Sequence, residues 1–429
     1  MPSNPTLAFA GPARQPGFFG WRVVWAAFTV GIFGWGVGFY GPPIFLQALH
    51  EARGWPISLL SAAITCHFLL GALVVANLAA LYRRFGMPEV TTAAALAAAL
   101  GALGWALAAE PWQLFAATLL SGFGWAATGA AAINAMVAPW FIQRRPAALS
   151  AAYNGATIGG VLLSPLWVAL IAGLGFAGAA AVVGGAMVVT LAWLSARVFS
   201  RTPAGLGQFP DGAPAAPLPA APGGALPGSR LWRDRRFTTL TAATSLSLFA
   251  QIGIVTHLFS LLVPVFGSRH AGFVAALVPI CAILGRVALG WLLPQGADRR
   301  RAVAANYALQ ICGTLLLLAA GGTSLPLLLL GVVLFGVGLG NSVSLPPLIA
   351  QQDFSPAETA RVVALVTACS QASYAFAPAA FGALREWAPM QAAPGGAPLL
   401  FLTATALYLL AALTMLARGR AIGVARAAA

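Results

Sequence analysis

The sequence contains no lysine, only nine acidic residues and only four cysteines in 429 positions. Charged residues make up 7% of it, against roughly 25% in an ordinary soluble domain, which excludes a surface facing mainly water. The cysteines, Cys66, Cys281, Cys312 and Cys369, lie inside apolar segments and show no CxxC spacing. That pattern excludes a disulfide framework and a cysteine-based metal centre. A dinucleotide fingerprint is also missing: GVGLGNS meets the glycine pattern only loosely and follows no strand. No buried acid completes a Ser–His triad. The expectation is therefore no enzyme, no metal and no cofactor.

Long apolar runs are what the chain has in place of these features. Hydrophobic residues make up 60% of it, and a membrane-crossing helix needs about 20 of them in succession. Twelve such runs are read at 20–46, 58–81, 90–109, 113–138, 147–172, 176–197, 238–264, 271–293, 302–321, 325–350, 361–384 and 398–417. They are continuous rather than alternating, which argues for helices over a barrel. The expected fold is an all-α membrane protein whose twelve transmembrane helices form two six-helix bundles. Residues 20–197 and 238–417 make the bundles, 1–19 and 418–429 are tails, and 198–237 is a linker. The linker is dense in proline, glycine and alanine, cannot bury a core, and is expected to be mobile. The first run lacks the short apolar core and cleavage site of a signal peptide and is read as a retained span.

The net charge of +14 comes entirely from arginine. These residues sit between spans rather than on one soluble face, so nucleic-acid binding is rejected. With both termini inside, nineteen arginines fall on the cytoplasmic side. Only Arg53, Arg269 and Arg385 fall outside, the bias expected of a polytopic protein. Arg286 remains, within VPICAILGRVALGWLL. A charge there is costly and usually faces the bundle interior or a water-filled path. A guanidinium offers a rigid fork of donors suited to a carboxylate; snorkelling to the interface is the plain alternative. Every acid falls in a loop or at a span end, so an anionic substrate is the missing counter-ion.

Further candidates line the same path. His257 is the proton-coupling candidate, because histidine titrates near about pH 6.5, and it is expected beside Arg286. His67 is a weaker candidate, with a helix–helix hydrogen bond as its alternative role. Asn134, Tyr153, Asn154, Asn341, Gln371 and Tyr374 are polar residues within spans, and amides there can equally join helices together. Phe33, Trp35, Phe39 and Tyr40 of the first span are expected to wall the apolar part of a small acid, or simply to pack.

Several segments resemble the major facilitator superfamily, in particular its bacterial monocarboxylate-transporter-like and oxalate/formate-exchanger-related members. They are FFGWRVVWAAFTVGIFGWGVGFYGPP, WFIQRRPAALSAAYNGATIGG, the linker opening RTPAGLGQFPDG, and GRVALGWLLPQGADRR. The resemblance implies alternating access, a substrate-binding arginine at Arg286, and cytoplasmic gating loops at Arg83, Arg84, Asp298 and Arg299. In LYRRFG, Arg83 stands where the family carries an acid. Without any lysine, the exchanger-type lysine of span eleven is absent, which makes oxalate less expected than a monoanion. The implied function is secondary transport of a small organic monocarboxylate across a bacterial inner membrane, by proton symport or anion exchange. An exporter of hydrophobic drugs or metabolites is the alternative. The implied partners are the anion, a proton and the lipid bilayer; oligomeric state is left open.

The arginine bias makes a direct prediction. In a cysteine-free background, a cysteine at position 84 should react with an impermeant maleimide only after the cytoplasmic face is opened. One at position 53 should react from outside in intact cells, and the reverse pattern would invert the topology.

Overall fold

The computed structural model describes residues 17–213, 231–293, 297–387 and 397–417. The expected tails at 1–16 and 418–429 and the linker centre at 214–230 lie outside the described residues. The first half contains α1 (Gly20–Gly38), α2 (Gly41–Arg53), α3 (Ile57–Phe85), α4 (Met87–Leu107), α5 (Pro111–Thr128), α6 (Ala130–Val137) and α7 (Arg145–Leu194). The second contains α8 (Arg235–Leu292), α9 (Arg299–Ala320), α10 (Leu325–Asp353), α11 (Pro356–Tyr374), α12 (Ala377–Trp387) and α13 (Pro398–Leu416).

Among the described residues ten helical stretches are long and apolar enough to cross a membrane. Two of them run for 55 and 58 residues. As straight rods each would exceed about 80 Å, more than twice a hydrocarbon core of roughly 30 Å. Each is broken once, at Gly175 (φ 72°) in α7 and at Gly267 (φ 69°) in α8. Residues with a Cβ resist this left-handed conformation, so a single glycine reverses the chain in each case and gives two crossings. Helices α1–α2, α5–α6 and α11–α12 each form one crossing interrupted midway, and the total is twelve.

Within the first half, α1 packs on α7, and α4 packs on α5 and α7; in the second, α10 packs on α8 and α9, and α13 packs on both. The halves meet mainly where α3 touches α12, where α7 touches α8 and where α2 touches α8. Arg83, Arg84, Arg144, Arg145, Arg235, Arg236 and Arg299 lie at helix ends of one face of the bundle, while Arg53 and Arg385 lie at the opposite end.

The scarce carboxylates are spent at helix starts, where free N–H groups and the helix dipole favour negative charge. Glu110 and Glu358 complete capping boxes on α5 and α11, Asp234 and Asp298 cap α8 and α9, and Glu89 sits in the first turn of α4. Asp298 also pairs with Arg301, and Arg299 hydrogen-bonds the Leu348 carbonyl and, through its own N–H, Gln352, joining α9 to the end of α10. In the first half, by contrast, Arg83 and Arg84 are exposed; Arg84 lies over the Phe85 ring.

The linker opening is not mobile as expected. Asp211 accepts hydrogen bonds from the backbone N–H groups of Ile142, Gln143 and Arg144 at 2.8–3.1 Å, just before α7. Gln208 clasps Gly17 and Phe19 at the start of α1. Proline and glycine content concealed this, because the segment docks through two polar side chains rather than through a core of its own.

Among the described residues the pair formed by Arg300 and Asp353 is buried. Arg300 Nε lies 2.8 Å from Asp353 Oδ2, with side chains only 2% and 8% exposed. Arg300 also donates to Thr239 and to the carbonyls of Arg236 and Met415, tying together α8, α9, α10 and α13. Breaking such a pair strands a buried charge. Asp353→Asn should destabilise the protein by about 3–5 kcal/mol, and Arg300→Met added to it should recover much of the loss. Thermal unfolding in detergent checks this; equal stability of wild type and Asp353→Asn would contradict it.

Candidate functional site

Arg286 occupies the contact between the halves. Its predecessor Gly285 faces α10, where a Cβ would stand 2.2 Å from the Val337 carbonyl oxygen. One residue turns a helix by about 100°, so Arg286 swings off that contact and reaches α7. There its Nη2 donates to Thr157 Oγ1 at 2.8 Å. The same logic positions Thr157. Gly155 and Gly159 lie one turn apart and press on the α1 backbone at Phe28 and Ile32, and the residue midway between them points the opposite way, toward α8. The Gly-spaced signature of span five is thus a packing face and a polar face on one helix. Thr157 itself was not singled out by sequence, since an isolated threonine in a span carries no distinguishing signal.

Among the described residues Arg286 has no carboxylate partner: the ion pairs are Arg236–Asp234, Arg300–Asp353 and Arg301–Asp298. Its electrostatic neighbour is Tyr40, at the break between α1 and α2. That break has a clear cause. Pro42 and Pro43 lack the N–H groups that would bond the carbonyls of Gly38 and Phe39. Tyr40 N–H turns instead to Trp35 O, which leaves Gly36 O free. Two buried side chains supply the missing donors: His67 Nε2 lies 3.0 Å from Gly38 O, and Trp167 Nε1 lies 3.1 Å from Gly36 O. A carbonyl only accepts, so His67 carries its proton on Nε2, and Nδ1 accepts from Ser121 Oγ at 2.9 Å. His67 is accordingly a brace for the first-span break, the helix–helix role weighed for it above.

Helices α11 and α12 are separated in a similar way. Pro378 removes the donor for Tyr374 O, and the N–H of Ala379 turns to Thr65 Oγ1 at 3.0 Å. Thus α3, through Thr65 and His67, holds both broken spans.

His257 is not beside Arg286. It lies ten residues before the Gly267 reversal, and Arg286 lies nineteen residues after it. At 1.5 Å per residue the two differ in depth by about 13 Å. His257 is fully buried. Its Nε2 meets Pro378 O at 3.2 Å and its Nδ1 faces Arg385 Nη1 at 3.5 Å, while Arg385 also donates to Ser260. Arg385, read as an outer loop residue, therefore packs inward on α12. Asn341 is engaged within the second half. It is 4% exposed and donates to Asn306 Oδ1 at 3.0 Å, within a buried amide group that joins α9 to α10. Asn134 and Tyr153 bond each other at 2.6 Å inside the first half.

Of the other expected residues, Tyr40 is the one tied to Arg286, and the rest are placed by their own contacts. Tyr40 lies against Gly160 of α7, and Phe39 packs on Tyr40 with ring centres 5.0 Å apart. Tyr374 meets Phe68 edge-on at 5.9 Å across the two halves. Phe33 and Gln371 are partly buried, and Asn154 is exposed one turn before Thr157. Ser150 and Asn77 are also exposed within spans. Asn77 satisfies its amide locally by donating to the Leu73 carbonyl at 2.9 Å. At the end opposite the arginine-rich face the halves are closed. Ser58 N–H bonds Glu386 at 2.9 Å, and a Cβ on Gly382 would stand 2.5 Å from Ser61 Oγ.

The twelve crossings fall into two halves that meet at Arg286 and Thr157, and residues 23–378 match the Major Facilitator Superfamily. The chain belongs to that superfamily. It is a multi-pass membrane transporter, not an enzyme. It is similar to human monocarboxylate transporter 11, with 29% identity over 313 residues, covering 69% of this chain. The match spans 61% of that relative's length. The fold resembles the nucleoside transporter NupG at TM-score 0.70 and 13% identity, covering 92% of this chain and 99% of that one. It also resembles a bacterial homologue of the human lysosomal transporter Spinster, in an inward-facing and occupied conformation. Here the TM-score is 0.67 with 14% identity, covering 94% and 97% of the two chains.

His67→Phe should leave the Gly38 carbonyl unsatisfied at a cost of about 1–3 kcal/mol. A thermal midpoint equal to that of wild type would remove His67 as the brace of the break.

Proposed function

We propose that this transporter carries a small organic monocarboxylate by alternating access, with Arg286 binding the carboxylate. The observation that carries this reading is a cation at the interface of the halves with no acidic partner among the described residues. A half-buried charge without a counter-ion is costly, and an arriving carboxylate offsets that cost by accepting the guanidinium's free donors. Similarity to a monocarboxylate transporter supports the same substrate class. The closed Ser58–Glu386 end supports a state open toward the arginine-rich face, and the arginine bias supports a cytoplasmic placement of that face.

Anion exchange fits the site better than proton symport. His257 and His67 both have their ring nitrogens engaged away from Arg286, and no acid lies within the spans to relay a proton. The gating contacts sit at Asp298 and Arg299 in the second half, with Arg83 and Arg84 as their exposed counterparts in the first.

Proteoliposome uptake tests the reading, using labelled monocarboxylates from formate and lactate to larger acids. Saturable uptake of at least one acid is expected, with a reduction of about 100-fold or more in Arg286→Gln. Wild-type uptake by that variant would refute the site. Unlabelled anion inside the vesicles should accelerate uptake, and His257→Gln should keep the wild-type pH profile. A flattened profile would restore proton coupling through His257.

A further inference from the structure

A run of aromatic rings begins at Tyr40, the neighbour of Arg286. Phe39 touches Tyr40 at 5.0 Å and lies nearly parallel to Trp125 at 6.0 Å, with an interplanar angle of 29°. Phe68 packs on Phe39 at 6.4 Å and on Trp125 at 6.2 Å, and then meets Tyr374 of the other half. Phe39, Tyr40, Trp125 and Tyr374 each keep part of their surface exposed, although they sit in mid-span between the halves. The run therefore continues without interruption from the guanidinium's neighbour Tyr40 across the seam to α11.

Several of the polar side chains within the spans are committed elsewhere, leaving Asn154 and Gln371 as the polar groups beside the rings. Asn134 is held by Tyr153, Asn341 by Asn306, and His67 by Gly38 O and Ser121. A hydroxy acid or formate would lay its hydroxyl or hydration water against ring faces, at a desolvation cost. A flat ring would instead stack or meet edges among Phe39, Phe68 and Trp125, the geometry aromatic groups favour.

Building on the anion reading above, we propose that the substrate is an aromatic monocarboxylate. Its ring lies among Phe39, Phe68 and Trp125, and its carboxylate sits on Arg286. Thr157 Oγ1 accepts from Arg286, so its own O–H is free to donate to the second carboxylate oxygen.

Calorimetric titration of the full-length protein in detergent separates the claims, with phenylacetate, acetate and neutral phenylacetamide as probes and empty micelles as the partition control. Phenylacetate should bind about 30-fold tighter than acetate, the gain expected from burying one ring. Phenylacetamide should not bind measurably. Phe39→Ala should weaken phenylacetate about tenfold and leave acetate unchanged. Equal affinities for phenylacetate and acetate in wild type, which need no variant to fold, would overturn the aromatic assignment while Arg286-dependent acetate binding kept the anion reading. Phenylacetamide binding as tightly as phenylacetate, with Arg286→Gln indifferent, would overturn both.

Discussion

Arg286 carries a fixed positive charge into a bundle whose nine carboxylates are engaged elsewhere. Five of them open helices; Asp211 caps the turn before α7, Glu386 caps the start of α3, Asp353 neutralises Arg300 and Glu51 bonds Gln47. This rationing follows from the membrane itself. Carboxylates are expensive in hydrocarbon and useful at helix N-termini, where they cap free N–H groups. Among the described residues Arg286 has no carboxylate partner, and it is placed where two glycine-packed helices from opposite halves meet.

The broken spans follow from a similar shortage, of backbone donors. Proline interrupts the ladder in the first and eleventh spans, and the freed carbonyls and N–H groups must be satisfied in an apolar setting. His67, Trp167 and Thr65 do this from neighbouring helices. The breaks place Tyr40 by Arg286 and Tyr374 by Phe68, so the site's rings are positioned by the same hydrogen bonds that repair the helices. Because α3 braces both breaks and also forms the closed end, movement of one half against the other must work on this helix.

Hydropathy and the arginine bias made the twelve spans legible, since both are sums over many residues. Arg286 stood out because a lone charge in an apolar run has few explanations. The position of His257 was not legible, because adjacency in neighbouring spans says nothing of depth until the reversal is located at Gly267. Asn341 failed for another reason: an amide that joins helices and one that meets a substrate look alike in sequence. Thr157 and Trp125 were missed as ordinary residues whose importance comes from what faces them. The linker opening was misread because Asp211 acts through three backbone N–H groups contributed by another segment.

The central claim is that Arg286 is an uncompensated cation awaiting an anion. Thermal unfolding of wild type and Arg286→Met in detergent, each with and without a saturating monocarboxylate, tests it most directly. The account predicts that the variant, when empty, is at least as stable as wild type, and that the anion raises only the wild-type midpoint. A variant that is markedly less stable when empty, yet still stabilised by the anion, would show that Arg286 serves structure rather than substrate and would contradict the account.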